Sequence, residues 1–239
     1  MDYRKFAKEL PGLYQNWGED TIRPRSQRFH QVKQQIKGMT TVSVMQLLNF
    51  AVECMEPSEM YCEIGTYLGA TLIGSLIDRP KVVAYAVDNF SKFDQKGENF
   101  KLLTDNLSMF GLSDRVTFNN QDMQEFFIKL RNKKKKPQKI GVYFYDGSHD
   151  YRSQLLALLY IKPFLAKQAL IVVDDSNSEK VTDANWHFIA THPQCRMLFD
   201  FKTPKNGYHT FWNGIQVLSW DVTRKKNYSW PQLKERLKK

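Results

Sequence analysis

From about residue 60 onward the sequence alternates short, continuously apolar runs with stretches whose apolar residues recur every three or four positions. The runs MYCEI (60–64), VVAYAV (82–87), VTFN (116–119), GVYFY (141–145) and ALIVV (169–173) read as strands buried on both faces. Between them, three groups fall at helical spacing: Phe100, Leu103, Leu107 and Phe110; Met123, Phe126, Phe127 and Leu130; and Leu155, Leu158 and Leu159. Ahead of the first strand, Val44, Leu47, Leu48, Ala51, Val52 and Met55 make one stripe of a helix, with Thr41 or Ser43 as its cap. A weaker helical pattern over 25–37 suits either a lid or the contact of a homodimer, and the sequence does not choose. After residue 195, RMLFDF and GIQVLSW, joined by TPKNGYH, read as a closing antiparallel hairpin. Strands alternating with helices predict a doubly wound α/β fold, a mostly parallel sheet covered on both faces.

Length and composition narrow this to one globular domain. The 239 residues divide into a helical arm or lid (1–42), the main domain (43–223) and a basic tail (224–239). With 42% hydrophobic and 13% aromatic residues, the chain can bury a sizeable core, which excludes disordered and disulfide-stapled classes. Cys54, Cys62 and Cys195 are odd in number and lack metal-ligand spacing, as expected of reduced thiols in a cytoplasm. No apolar run approaches the roughly 20 residues that span a bilayer, and MDYRKFAKEL is charged where a signal peptide would be greasy, so a soluble, unprocessed protein is expected.

The formal charge of +10 is uneven. Residues 129–139 carry +7 and residues 224–239 carry +6, which leaves −3 on the rest. Such runs are commonly solvated. The other reading is an anionic partner, nucleic acid or acidic lipid, although 129–139 contains no aromatic residue to stack on a base and the tail offers only Tyr228 and Trp230.

In open parallel sheets ligands bind beyond the carboxyl ends of the strands. The first strand runs into Glu63-Ile64-Gly65-Thr66-Tyr67-Leu68-Gly69, where two glycines let bare backbone approach a ligand. Asp88 ends the second strand, 23 residues after Gly65, at a spacing suited to accepting hydrogen bonds from ribose hydroxyls. Gln121-Asp122 follows the third strand and suits an adenine amino group, while Asp122 could equally cap the helix starting at Met123. The pattern G-x-G-x-x-G is absent, which disfavours a nicotinamide or flavin dinucleotide.

This order and spacing resemble the class I S-adenosylmethionine-dependent methyltransferases over residues 43–220. The resemblance implies a Rossmann-like, seven-stranded sheet with a C-terminal antiparallel hairpin. It further implies that Gly65 faces the methionine part of S-adenosylmethionine, Glu63 orients its ammonium group, and Thr66, Tyr67 and Gly69 supply backbone contacts. Asp88 would hold the ribose and Gln121-Asp122 the adenine side.

A second polar cluster follows strands four and five: Asp146-Gly147-Ser148-His149-Asp150-Tyr151 and Asp174-Asp175-Ser176-Asn177. Carboxylates gathered at adjacent strand ends repel unless a proton or a cation intervenes, and an all-oxygen set favours Mg²⁺ or Ca²⁺. The arrangement is similar to the metal-dependent catechol and caffeoyl-coenzyme A O-methyltransferases, which implies Asp146, Asp174 and Asp175 as metal ligands. Asp175 stands where those enzymes have Asn, and His149 where they have Lys. A histidine titrating near neutrality suits a general base, so His149 and Asp146 are the candidate catalytic pair. The stretch DGSHDY also resembles a methyltransferase branch associated with sugar and natural-product modification. The bland alternative makes the aspartates strand-end acceptors for backbone amides, with Asp175 capping the next helix. His30, His187, His192 and His209 read as surface or packing residues, and Trp186, Trp212, Tyr208 and Phe211 as pocket lining or, more simply, packing.

The expectation is therefore an O-methyltransferase acting on a small hydroxylated molecule with S-adenosylmethionine and a divalent metal, with no membrane partner. Its rivals are a nucleic-acid-interacting methyltransferase using Lys133–Lys136 and the tail, and a nucleotide-binding α/β enzyme without methyl transfer.

Overall fold

The computed structural model describes residues 1–134 and 136–225. Most of the basic tail, with Tyr228 and Trp230, lies outside the described residues, as does Lys135. The elements run α1 (Tyr3–Glu9), β1 (Tyr14–Gln15), β2 (Arg23–Pro24), α2 (Phe29–Gln35), α3 (Val42–Glu53), β3 (Met60–Ile64), α4 (Ala70–Leu76), β4 (Ala84–Asp88) and α5 (Asn99–Met109). They continue with β5 (Val116–Asn120), α6 (Met123–Arg131), β6 (Ile140–Tyr145), α7 (Tyr151–Ile161), β7 (Leu165–Val173), α8 (Glu179–Thr191), β8 (Cys195–Phe201) and β9 (Ile215–Asp221). Seven strands form one sheet in the order β5-β4-β3-β6-β7-β9-β8, and β1 and β2 pair as a separate small ribbon. The five strands β3 to β7 run parallel, and β9 pairs antiparallel with both β7 and β8.

The central strands are apolar at every position because each face is covered. Tyr61, Val142, Phe144, Leu170 and Val172 join the layer built by α1 to α5, while Cys62, Ile64, Tyr143, Tyr145, Ile171 and Val173 join the layer of α6, α7 and α8. All are buried. Truncating a fully buried Phe such as Phe144 to Ala would cost about 3–5 kcal/mol.

The expected strands lie where the patterning puts them, with instructive differences at their ends. β4 starts at Ala84 rather than residue 82 because the Arg115 guanidinium takes the carbonyls of Arg79 (2.6 Å) and Val82 (3.2 Å), turning that segment away from the sheet. The pattern at 25–37 contracts to α2, since Arg25 still belongs to the ribbon through its amide bond to Leu13 O (2.9 Å). The stripe at 44–55 is α3, and Thr41 is its cap, its hydroxyl accepting from Val44 N at 3.2 Å. The same hydroxyl donates to Thr210 O, tying the helix start to the β8–β9 connection. That connection, 202–214, is longer than a tight hairpin turn.

The first 42 residues are woven into the main layer. Phe6, Leu10, Phe29, Val32 and Ile36 are buried in the same cluster as the sheet, Phe6 stacks on Phe50 at 5.7 Å, and Tyr14 OH donates to Ser43 O at 2.8 Å. The three thiols are buried and unpaired, and burial pushes those of Cys54 and Cys195 up to about 12. No helix among the described residues is long and apolar enough to cross a membrane.

Candidate functional site

Strand order reverses between β3 and β6, since α4 and α5 lead outward from β3 to β4 and β5 on one side and β6 and β7 follow on the other. At such a switch point the connections part and leave a crevice. The exits of β3 and β6 meet there. Asp146 N donates to Ile64 O at 2.9 Å, and Gly65 sits at φ +86° so close that a Cβ on it would lie 1.8 Å from Asp146 O. Only glycine fits this approach.

The bend then continues through Tyr67, itself left-handed at φ +47°, to Gly69 at φ +87°, the cap of α4. Asp88 shapes it from the neighbouring strand: Oδ2 accepts from Tyr67 N at 2.7 Å, and Oδ1 accepts from Phe90 N at 2.8 Å. Each carboxylate oxygen retains a second lone pair for a ligand. The amides of Thr66 and Leu68 donate to no acceptor among the described residues, and the buried Thr66 Oγ1 is likewise without a partner. Unsatisfied donors around a glycine cradle fit the amino-acid end of a small ligand.

Glu63, the penultimate residue of β3, precedes this bend. It is fully buried, with Oε2 accepting from Tyr61 OH (2.6 Å) and Oε1 from Thr71 Oγ1 (2.9 Å). Burial pushes its carboxyl up to about 8, against the opposing pull of those two hydroxyls. On the other flank, Gln121 N donates to Asp88 O at 3.1 Å, while the Gln121 side chain accepts from Lys129. Asp122 caps α6, accepting from Gln124 N at 2.7 Å.

The other side of the crevice is assembled from three separate segments. His149 Nδ1 lies 3.0 Å from Asp175 Oδ2, and the ligating atoms of Asp146, His149 and Asp175 all lie within 4.8 Å of one another. Asp175 is held in a left-handed backbone conformation (φ +56°), and its Oδ1 accepts from Asn213 Nδ2 at 2.5 Å. Asn213 in turn accepts from Gly207 N through Oδ1 (2.8 Å) and from Asn177 N through its backbone oxygen (2.9 Å). Gly214 permits this docking, since a Cβ there would lie 2.7 Å from both Ser176 Oγ and Asn177 Oδ1.

Asp174, expected as a ligand with Asp146 and Asp175, is near enough to act on both carboxyls but stands outside the trio of close ligand atoms. It is 3% exposed and its Oδ1 accepts from Asp175 N at 2.8 Å, so the trio of close ligand atoms contains His149 in its stead. Burial, and then Asp175, push the Asp174 carboxyl well above the ordinary range. Burial followed by Asp174, Asp175, Glu63 and Asp88 does the same to Asp146. Crowded carboxyls of this kind gain from a proton or a cation.

Several remaining candidates have plain partners. The cap of α8 is Ser178, not Asp175, whereas Asp150 caps α7 through Ser153 N at 2.9 Å. Tyr151 OH bonds His187 Nδ1 at 2.8 Å, and Phe211 stacks on Phe201 at 4.3 Å. Trp212, left-handed at φ +55°, lies under Lys33 at 5.8 Å. Asn213 escapes a reading of the sequence alone. Asn213 lies 38 residues from its partner Asp175 in a loop with no motif, and only its place before Gly214 marks a tight approach.

Comparison with known proteins follows this geometry. Residues 62–176 match a family profile described as a methyltransferase domain. Among solved structures, the chain is similar to an O-methyltransferase from Bacillus cereus in complex with SAH, at TM-score 0.60 and 14% identity, over 84% of this chain and 94% of that one. It is similar to the O-methyltransferase TomG from Streptomyces achromogenes in complex with SAM, at TM-score 0.59 and 10% identity, over 83% and 91%. TrmK from M. capricolum in complex with S-adenosyl-homocysteine is also similar, at TM-score 0.54 and 15% identity, over 78% and 73%. At these identities the likeness is one of fold. A search of curated proteins finds no match.

Proposed function

We propose that the chain, whose residues 62–176 match a methyltransferase-domain profile, is a class I S-adenosylmethionine-dependent methyltransferase that moves the sulfonium methyl of S-adenosylmethionine to a hydroxyl oxygen of a small molecule, a sugar or natural-product intermediate. The observation that carries this reading is the His149–Asp175 pair, 3.0 Å apart, on the β6 and β7 exits beside the Gly65–Asp146 contact. The new bond joins the acceptor oxygen to the methyl carbon, the carbon–sulfur bond breaks with its electrons going to sulfur, and the hydroxyl proton must leave. With Nδ1–H donating to Asp175, the neutral imidazole keeps Nε2 free to take that proton. His149 is half-exposed at 45%, so an acceptor can reach it from solvent.

On the donor side, Asp88 receives the ribose hydroxyls on its remaining lone pairs, while the amides of Thr66 and Leu68 and the Thr66 hydroxyl receive the amino-acid end. Holding both reactants in line contributes much of the rate in such a transfer. Asp146 and Asp175 suit a divalent cation, Mg²⁺ or Ca²⁺: their carboxylate oxygens, with His149, lie within 4.8 Å of one another, a spread that ligand atoms at about 2.0–2.6 Å from one ion can share. Such an ion would supply positive charge that lowers the pKa of the acceptor hydroxyl.

The test is product formation from S-adenosylmethionine with a panel of phenols, catechols and sugars. His149→Ala should lower kcat by about 10²–10⁴-fold with cofactor affinity unchanged by calorimetry. Stripping divalent ions with a chelator should abolish turnover, and Mg²⁺ or Ca²⁺ should restore it. Full activity after chelation removes the metal from the reading, and full activity of His149→Ala removes the base.

A further inference from the structure

A second polar feature lies away from the reacting centre. A groove of about 310 Å³ runs between β5 and α6, lined by Asn119, Asn120, Gln121, Phe126, Lys129, Leu130 and Lys133. Its lining holds two lysines and three carboxamides but no carboxylate; the acids of α6 nearest to it are Asp122, engaged in capping, and Glu125. Beyond it Lys134 and Lys136 continue the positive charge, both exposed, while Arg131 lines the opposite, α7-facing side of α6. Among the described residues none of these five makes an ion pair with a carboxylate, whereas Arg28, Arg79 and Lys101 elsewhere on the surface each do. Lys129 is bound only to the neutral amide of Gln121. Like charges left unpaired along one track repel one another and are stabilised by a bound anion.

The fold also steadies one of these lysines: Tyr85 from β4, half-buried, lies under Lys133 with Nζ 5.4 Å from the ring centroid. We propose that the β5–α6 groove and the basic run leaving it form a track for a single-stranded polynucleotide. Lysines one helical turn apart and strung onward suit successive phosphates better than one point anion, which calls for converging donors. Carboxamides present both donors and acceptors to base edges. A lipid surface would have no use for the amides. The inner end of the groove abuts Asp88 through the Gln121 backbone, so a bound strand would pass beside the donor crevice. This inference does not depend on the proposed acceptor chemistry.

The experiment is fluorescence anisotropy of the full chain with labelled strands of about twelve nucleotides, polyuridine and its deoxythymidine counterpart, a length within single-strand site sizes. Binding at 50 mM salt should weaken by about 50-fold at 200 mM if four phosphates are engaged, from a slope of roughly −0.7 per phosphate. Lys129→Glu/Lys133→Glu should weaken binding at least about tenfold and flatten that slope, with Lys180→Glu on α8 as a charge-matched control that leaves it unchanged. The melting temperature of each variant, and Lys129→Gln/Lys133→Gln with smaller charge change, guard against misfolding. Absence of binding at 50 mM salt overturns the proposal. So does undiminished binding by the double reversal, which would assign the affinity to other basic residues, or equal capture on anionic lipid vesicles that the reversal abolishes in parallel.

Discussion

The donor and acceptor halves of the crevice lie side by side yet are built in opposite ways. The donor half is local: seven consecutive residues, 63–69, form the bend, and one distant side chain, Asp88, fixes it through the Tyr67 amide. The acceptor half joins Asp146 and His149 after β6, Asp175 after β7 and Asn213 before β9. Its precision therefore depends on a connection, 202–214, from which Asn213 reaches Asp175. A local bend is fixed by its own backbone, whereas a composite cluster is only as exact as the loops that brace it.

The sharpest way to break the comparison is Gly65→Ala. The left-handed φ and the 1.8 Å approach to Asp146 O leave no room for a methyl, so the β3 and β6 exits must separate. A loss of more than about 4 kcal/mol in stability is expected, together with the loss of S-adenosylmethionine binding, readable by denaturant melts and calorimetry. If the protein melts as before, the close packing of the two halves is not what holds them.

Asn213→Ala should do less and act on one side alone. Freed of its 2.5 Å bond, Asp175 Oδ1 is left without its brace. Turnover should fall about 10–100-fold, as for other groups that orient a functional side chain, with the KM for the methyl donor unchanged. A rise in that KM would mean the brace also serves the donor half.

The mildest probe is Glu63→Gln, read as stability against pH. The folded Glu63 carboxyl, raised to about 8, binds its proton more tightly than the unfolded one. Its stabilisation is therefore full below the unfolded pKa near 4.5 and is lost as pH rises through about 8. The amide cannot titrate, so the variant should lose less of its melting temperature between pH 5 and 8 than the parent does. Parallel curves would mean that Glu63 stays ionised in the fold.

The same contrast governs what the sequence discloses. Five parallel strands, the α3 stripe and the 63–69 bend are carried by neighbouring residues and can be read directly. The replacement of Asp174 by His149 in the close cluster cannot, because it depends on Asp175 taking a left-handed turn that aims its carboxylate back at the β6 exit. The bracing by Asn213 and the placing of Tyr85 under Lys133 are likewise products of topology, joining residues 38 and 48 apart along the chain. The stretch 1–42 reads in sequence as a helical arm or lid, and Phe6, Phe29 and Val32 of it are wholly buried in the shared core.

The backbone seam between Gly65 and Asp146 has no slack, so neither strand tip can be redesigned without disturbing its neighbour. Retargeting this scaffold to other acceptors should thus begin with chimaeras that exchange 202–212, which leave both that seam and the Asn213–Asp175 brace intact.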